Sequence, residues 1–483
     1  MNHWKNYLNE YREAHGCAPA YITETMGCQM NERDSETIAG LLCEMGYAPT
    51  ASRADAAVIV VNTCNVRENA DNRFFGMLGQ IKKLKEARPL TVTAVCGCMM
   101  QQQHIVDAIK AKYPWVDVIF GTHNIHEFPM LLRSAVLERT KAVLVRDEGG
   151  DIVEGLPARR EFPFRAYVNI MYGCDNCCTY CIVPYTRGRE RSRRPAAIEH
   201  EVLGLAANGA KEITLLGQNV NSYRGCDARR DDGRSNSDEP GDALDFPGLI
   251  GKLNAIDGIA RIRFMTSHPK DLSQRLIDAY RTCEKLCKAI HLPVQSGSSR
   301  VLARMNRRYT KEDYIERIDR LRAASQGIAI TTDFIVGFPG ETEADFEDTM
   351  DLIERVRFDS AFTFLYSPRK GTPAASYADT VPEEDKHRRF IRMVERLNAI
   401  TAEKNRAYLG GTETVLAEGP SKTDPSMMTG RTDAGKVVNF RAPAELAGHM
   451  LPVRITGVRT FSLYGEPATG ALTSSPKTSN TVC

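Results

Sequence analysis

A chain of 483 residues is too long for one ordinary domain and suits two to four, each large enough to bury a core. Lys plus Arg number 63 and Asp plus Glu 61, so the net charge of +2 draws the whole chain toward no polyanion, and any nucleic-acid contact has to come from a local patch. The polar opening MNHWKNYLNEYREAH has no apolar leader and no run is long enough to span a bilayer, which points to a soluble, cytoplasmic protein without a membrane partner. Fourteen unevenly spread cysteines in a reducing compartment point to metal ligation or catalysis rather than to a disulfide framework.

From Ala20 to Phe120, short β-branched runs (AYITETM, AAVIVVNT, TVTAVC, WVDVIF) alternate with helix-period stretches (NERDSETIAGLLCEMG, VRENADNRFFGMLGQIKKLKEA, QQQHIVDAIKAKY), the pattern of a βα repeat with a parallel sheet. The charged stretch from Arg146 to Arg160 has the composition of a linker. A second series follows, with strands AYVNIM, KEITLLG, RIRFMT, KAIHLPV, GIAITTDFIVG and FDSAFTFLY each trailed by a helical pattern, so six βα units can curl into an open barrel. RGCDARRDDGRSNSDEPGDALD, Arg224 to Asp245, is charged and Gly/Ser-rich, as expected of a flexible surface insertion. A long charged helix around Glu383 to Tyr408 leads to five short strands, ETVLAEGP, MMTGRT, KVVNFRA, LPVRITGV and TFSLYGE, which suit a small barrel of the kind that binds oligonucleotides. The expected fold class is α/β: a parallel-sheet domain over 17–140, an open barrel over 155–395, an all-β barrel over 404–467 and a Ser/Thr-rich disordered tail over 468–483.

Cys174, Cys178 and Cys181 form C-x3-C-x2-C in GCDNCCTYC, directly after the first strand of the second series. Three thiolates on so short a loop can hold three irons of a 4Fe-4S cubane and leave the fourth open to a chelating substrate. A structural zinc loop is the alternative, but zinc wants four closed ligands and no nearby Cys or His completes the set. Cys177 is out of register and is a spectator. In βα barrels chemistry gathers where strands end, and Gly217 and Gln218 of GQNVNS, Ser267 and His268 of TSHP, Gln295 and Ser296 of QSGS, and the VGFPGE turn all close strands, so together they line one pocket for a polar cofactor. Singly they are weak: Gly337, Pro339 and Gly340 ordinarily mean a turn, and His268 before Pro269 a helix cap.

Cys28, Cys64 and Cys98 each close a strand of the first series and open a helix, so in a parallel sheet they share one edge, where helix N-termini favour thiolates. A lone buried Cys is ordinarily a small hydrophobe, which explains three equivalent strand ends poorly. Cys96 is the alternative ligand, but alternation points it to the opposite side. Arg187, Arg189, Arg191, Arg193 and Arg194 follow the cysteine loop, and Lys422, Arg431, Lys436 and Arg441 lie in the last barrel; such runs are either a solvated face or a seat for a phosphate backbone.

From Ile22 to Glu466 the chain resembles the bacterial tRNA 2-methylthio-N6-dimethylallyladenosine synthases, the MiaB-type radical S-adenosylmethionine methylthiotransferases. The resemblance rests on GCQMN, NTCNVRENA, GCMMQ, CTYCIVPYTRG, GQNVNSY, SHP, HLPVQSGS, MNRRYT, DFIVGFPGE, AFTFLYSPRKGT, EGPSK and TGRT, and on a C-terminal barrel that looks like a TRAM domain. It implies a radical 4Fe-4S cluster on Cys174, Cys178 and Cys181 that binds S-adenosylmethionine, an auxiliary 4Fe-4S cluster on Cys28, Cys64 and Cys98, and a S-adenosylmethionine pocket at Gly217, Gln218, Ser267, His268, Gln295 and Ser296. It further implies a tRNA anticodon stem-loop as substrate with Arg431, Lys436 and Arg441 near the RNA, an electron donor of flavodoxin or ferredoxin type, and a monomer. Cys177, the 224–245 insertion and the tail beyond Glu466 depart from the family pattern. A sister methylthiotransferase, acting on threonylcarbamoyl-adenosine or a ribosomal-protein aspartate, shares the six cysteines; a non-catalytic iron-sulfur carrier has no use for two open-iron sites.

Overall fold

The computed structural model describes residues 2–64, 68–147, 149–227 and 243–468; Cys483 and nearly all of the expected tail lie outside them. The first sheet is parallel throughout, in the order β2 (Ala48–Pro49), β1 (Ala20–Thr25), β3 (Ala56–Thr63), β4 (Val92–Gly97), β5 (Val118–Phe120) and β6 (Ala142–Leu144). Central strands covered on both faces need apolar residues at every position, and AAVIVVNT supplies them: Val58 and Val60 enter one core with Ile38 and Phe120, Ile59 and Val61 the other with Phe74 and Met99. WVDVIF contributes only Val118–Phe120, because Val116 turns back on Tyr113 and the Asp117 carboxylate accepts from the Thr93 amide. The polar N-terminus forms a helix, Asn2–His15, anchored where Trp4 is buried and donates to the Met45 carbonyl at 3.0 Å.

The central strands follow one another in sequence order as two parallel three-stranded sheets: Arg165–Asn169, Glu212–Leu216 and Arg261–Phe264, then Ala289–His291, Ala329–Val336 and Ser360–Leu365. A bridge between Ile262 and Leu286 connects them, and one continuous core from Ala166 to Ile400 fills both, so the six strands form the open barrel expected. Helices Lys311–Ala324 and Glu343–Val356 each start on a capping box, Thr310 with Asp313 and Thr342 with Asp345. In the expected insertion Arg224–Gly225 pairs antiparallel with Leu244–Asp245, and 228–242 lie outside the described residues.

Helix Glu383–Arg406 packs on strand Ser360–Leu365 and delivers the chain to a closed five-stranded barrel over Thr412–Pro467. Two arginines of one central strand fasten it: Arg261 donates to the carbonyls of Arg431 and Thr414, and Arg263 to those of Asp433 and Thr432, at 2.6–2.8 Å. Among the described residues no helix is long and apolar enough to cross a membrane.

Candidate active site

The parallel register brings the three N-terminal cysteines together. Asn62 and Thr63 pair with Cys96 and Gly97, and Thr25 pairs with Asn62, so Cys28, Cys64 and Cys98 leave the sheet at one edge. Cys28 is the N-cap of helix Gln29–Glu44 and Cys98 opens the short turn Cys98–Gln101. Gly97, at φ +100, could not carry a side chain, since a Cβ there would stand 2.2 Å from the Thr63 carbonyl oxygen. Beneath the thiols Asn31 and Asn62 clasp each other, with Asn31 Nδ2 on Asn62 Oδ1 at 3.0 Å and Asn62 Nδ2 on the Asn31 carbonyl at 2.9 Å.

Cys64 hydrogen-bonds to both Cys28 and Cys98. That bond from Cys64, with the field of the Arg187 guanidinium, holds Cys28 down at about 6 and lowers Cys98 as well, while Cys64 itself is pushed far up as the proton donor to both. Arg187 is buried, donating from Nε to Cys98 Sγ at 3.0 Å and from Nη2 to Asp34 at 2.7 Å. Cys96 lies in the same core as Trp4 and Phe120, and burial raises its thiol.

The second set sits on the loop after Met171–Tyr172. Gly173, at φ +78, lets this loop pass the Arg189 carbonyl, which a Cβ would meet at 2.0 Å. Cys178 is buried, Cys174 and Cys181 are half-buried, and Cys177 points out with φ +48. Burial pushes Cys174 up to about 11 and Cys181 up to about 12, Cys178 adding to both, so these thiols ionise only against a cation. A buried arginine stands here too: Arg307 donates to the Pro293 carbonyl at 2.6 Å, to Tyr309 at 2.9 Å and to Cys178 Sγ at 3.5 Å. Thr179 ties the loop to the carbonyls of Met305 and Arg304.

The strand-end residues divide. Gln218 accepts from the Gly173 amide at 2.5 Å and reaches across to Met30, while Gly217 leaves no room for a side chain beside Met171. His268 stacks edge-on against Tyr309 at 5.7 Å, and burial with nearby Arg307 pushes it down to about 2, so its ring is neutral. Ser267 Oγ and His268 Nε2 are buried polar atoms without a partner in the protein. Gln295, at φ +76, is part of the backbone bridge to Asp333 and Ile335, and Ser296 turns inward to Thr349 and the Ser298 amide.

Among the described residues no three His, Cys, Asp or Glu side chains close on one point as ligands of a single ion. A cubane is larger, and its thiolates anchor separate irons at different corners. Each triad offers three thiols, a buried guanidinium against one sulfur and a turn that only glycine permits, which suits a 4Fe-4S cluster carrying net negative charge. Orphaned polar atoms at Ser267 and His268, at a strand end of the same barrel, suit a polar cofactor.

The arginine run after the loop is largely internal. Arg193 is buried against Glu154, Glu201 and the Asn169 carbonyl, Arg191 donates to Gly150, and Arg189 alone of these three stands open to solvent. Together with Arg33 and Arg160, Arg187 and Arg191 line a cavity of about 690 Å³ between the two domains. Of the barrel cations, Arg441 is exposed, Arg431 is exposed with its guanidinium beside Glu418, and Lys436 is folded against Asp359 with its ammonium 3.6 Å away. Arg187 was visible only as a member of a basic run and Arg307 only within MNRRYT; nothing in the sequence marks them as sulfur partners.

Residues 168–353 match the Radical SAM superfamily, residues 20–121 the Uncharacterized protein family UPF0004, and residues 406–468 the TRAM domain. Two proteins named tRNA-2-methylthio-N(6)-dimethylallyladenosine synthase, from Alkaliphilus oremlandii and Acetivibrio thermocellus, are 52% and 53% identical to this chain. The alignments cover 92% and 95% of the chain and 92% and 93% of those proteins. The chain belongs to that synthase family. A family member from Clostridioides difficile is 50% identical over 94% of the chain and 93% of its own length. Among solved structures, the radical S-adenosylmethionine methyltransferase TsrM from Kitasatospora setae, with cobalamin and a 4Fe-4S cluster bound, superposes with a TM-score of 0.53 at 12% identity. That match covers 74% of this chain and 77% of TsrM, and shows the shared fold. This synthase-family chain thus joins a Radical SAM region, a UPF0004 region and a TRAM domain in one polypeptide.

Proposed function

We propose that the chain transfers a methylthio group to a tRNA, converting N6-isopentenyladenosine on the 3′ side of the anticodon to the 2-methylthio derivative. The observation that carries this reading is the pair of three-thiol sets on one chain, each with its own buried arginine, in a protein half-identical over nearly its whole length to synthases named for that product.

On this reading Cys28, Cys64 and Cys98, in a unit of about 17–140, would hold the auxiliary 4Fe-4S cluster. Cys174, Cys178 and Cys181, in a unit of about 155–395, would hold the radical cluster. When bound, the clusters and S-adenosylmethionine supply reductive cleavage to a carbon radical together with the sulfur and methyl that are transferred. The chain's own part is orientation and shielding. Arg187 and Arg307 balance negative charge at buried sulfur, Gln218 clamps the Gly173 amide of the cysteine loop, and neutral His268 with Ser267 offers buried polar atoms to a ligand at the strand ends. An anticodon-loop adenosine is single-stranded and can be splayed into such a pocket.

The closed barrel over Thr412–Pro467 would hold RNA through Arg431 and Arg441, whereas Lys436 is committed to Asp359. Fourteen unevenly spread cysteines suit a reducing, cytoplasmic setting, where a flavodoxin- or ferredoxin-type protein would donate the electron.

The test is anaerobic incubation of reconstituted protein with dithionite, S-adenosylmethionine and tRNA bearing either isopentenyladenosine or threonylcarbamoyl-adenosine, followed by mass spectrometry of the digested nucleosides. A methylthio product from the first tRNA only is expected. Product from the second alone would move the chain to a sister activity.

A further inference from the structure

We infer that Arg187, a residue of the barrel, is a positioning residue for the auxiliary cluster: it fixes the Cys98 sulfur across the domain interface and raises the reduction potential of whatever cluster that sulfur holds. The inference rests on the assignment of Cys28, Cys64 and Cys98 as the auxiliary ligands.

Arg187 ends helix Val183–Arg187, six residues beyond Cys181, so its backbone belongs to the radical-cluster loop. Its side chain belongs to the other domain. It is 3% exposed, with Nε on Cys98 Sγ at 3.0 Å and Nη2 on Asp34 Oδ2 at 2.7 Å, and Asp34 lies on the helix that Cys28 caps. The N-terminal domain grips the same segment again where Thr122 Oγ1 donates to the Thr186 carbonyl at 3.1 Å.

A guanidinium buried beside one carboxylate is already a neutral pair, so charge balance with Asp34 does not by itself explain why the fork is aimed at sulfur. An N–H donor gains little from a neutral thiol and much from a thiolate, the form in which Cys98 would bind iron. Hydrogen bonds to ligand sulfur are also one of the levers by which a protein sets cluster potential, because they stabilise the more negative, reduced state. One side chain of the barrel therefore brings a cationic donor to the auxiliary site at Cys98, beside the bond that Cys98 takes from Cys64. It also couples that site to the docking of the barrel: separating the domains withdraws the guanidinium from Cys98 and Asp34 together.

The test uses the full-length chain carrying Cys174→Ala, Cys178→Ala and Cys181→Ala, so that only an auxiliary cluster remains. After anaerobic reconstitution, iron release to a chelator and the midpoint potential followed by electron paramagnetic resonance are compared for the parent, Arg187→Gln and Arg187→Lys. Arg187→Gln is expected to weaken cluster retention roughly 10–100-fold and to shift the potential to more negative values. Arg187→Lys, which keeps the charge but loses the fork, falls between.

Retention and potential equal to the parent in Arg187→Gln would overturn the inference. In the mirror background, Cys28→Ala, Cys64→Ala and Cys98→Ala, the iron content of the radical loop reports whether Arg187→Gln merely unfolds the chain. Equal loss from both sites would overturn a positioning role. If the first parent binds no iron at all, the ligand assignment itself falls, and the inference with it.

Discussion

A Cβ on Gly27 would stand 2.6 Å from the Cβ of Cys64. The strand end that carries Cys28 can therefore lie against Cys64 only where no side chain intervenes, and its φ of +146 is open to glycine alone. Gly27→Ala is expected to cost about 1–3 kcal/mol of stability through backbone strain and to push two thiols apart. Thermal unfolding reads the first effect; iron analysis after reconstitution should show about half of the iron lost, since only the auxiliary cubane is disturbed. Full iron in Gly27→Ala would mean that this contact does not shape the site.

Arg307 makes the corresponding bond to the radical loop, but it also caps the Pro293 carbonyl. Arg307→Gln should thus have two separable consequences: roughly 10–100-fold weaker retention of the radical cluster and about 1–3 kcal/mol of destabilisation from a buried carbonyl left unpaired. Chelator challenge measures one and denaturant unfolding of the cluster-free protein the other.

The barrel cations separate by geometry. Arg441 is exposed, so Arg441→Ala is expected to weaken tRNA binding and reduce the slope of log affinity against log salt by about one. Lys436 is held at Asp359, so Lys436→Ala should leave that slope unchanged and instead loosen the seat of the barrel on the core. Filter binding across a salt series distinguishes them.

Glu190 sets a pH dependence. Burial raises its carboxyl to about 7, with Asp175 adding to the shift and the bond from Ser222 opposing it. A folded-state value above the unfolded one means that the folded chain holds the proton more tightly, so the stability it contributes is full below the ordinary carboxyl range and is lost as pH rises through about 7. Glu190→Gln cannot make this transition. Its stability relative to the parent should therefore be higher at about pH 8 than at about pH 5, as read from denaturant midpoints at the two values; an unchanged difference would place Glu190 in ordinary solvent.

Much of the candidate site was legible because its residues group locally or periodically. Cys174, Cys178 and Cys181 declare themselves by spacing, and Cys28, Cys64 and Cys98 by ending buried parallel strands, a position that register alone brings to one edge. Arg187 and Arg307 were not: an arginine in a basic run looks solvated until another domain closes over it, as at Arg187, or until distant parts of its own barrel do, as at Arg307. The same limit applies to Lys436, whose partner Asp359 is distant in sequence, and to Ser296, which shares a motif with strand-end neighbours yet turns toward Thr349. Helix Asn2–His15 escaped notice since so few of its residues are apolar; Trp4 carries its docking.

The measurement that tests the central claim most directly is to follow 5′-deoxyadenosine and methylthiolated nucleoside together, in one anaerobic reaction, for the parent, Cys64→Ala and Cys178→Ala. Two sites with divided labour predict that Cys178→Ala makes neither product, whereas Cys64→Ala cleaves S-adenosylmethionine but leaves the tRNA without sulfur. Full methylthiolation by Cys64→Ala would contradict the auxiliary site, and cleavage by Cys178→Ala would contradict the radical one.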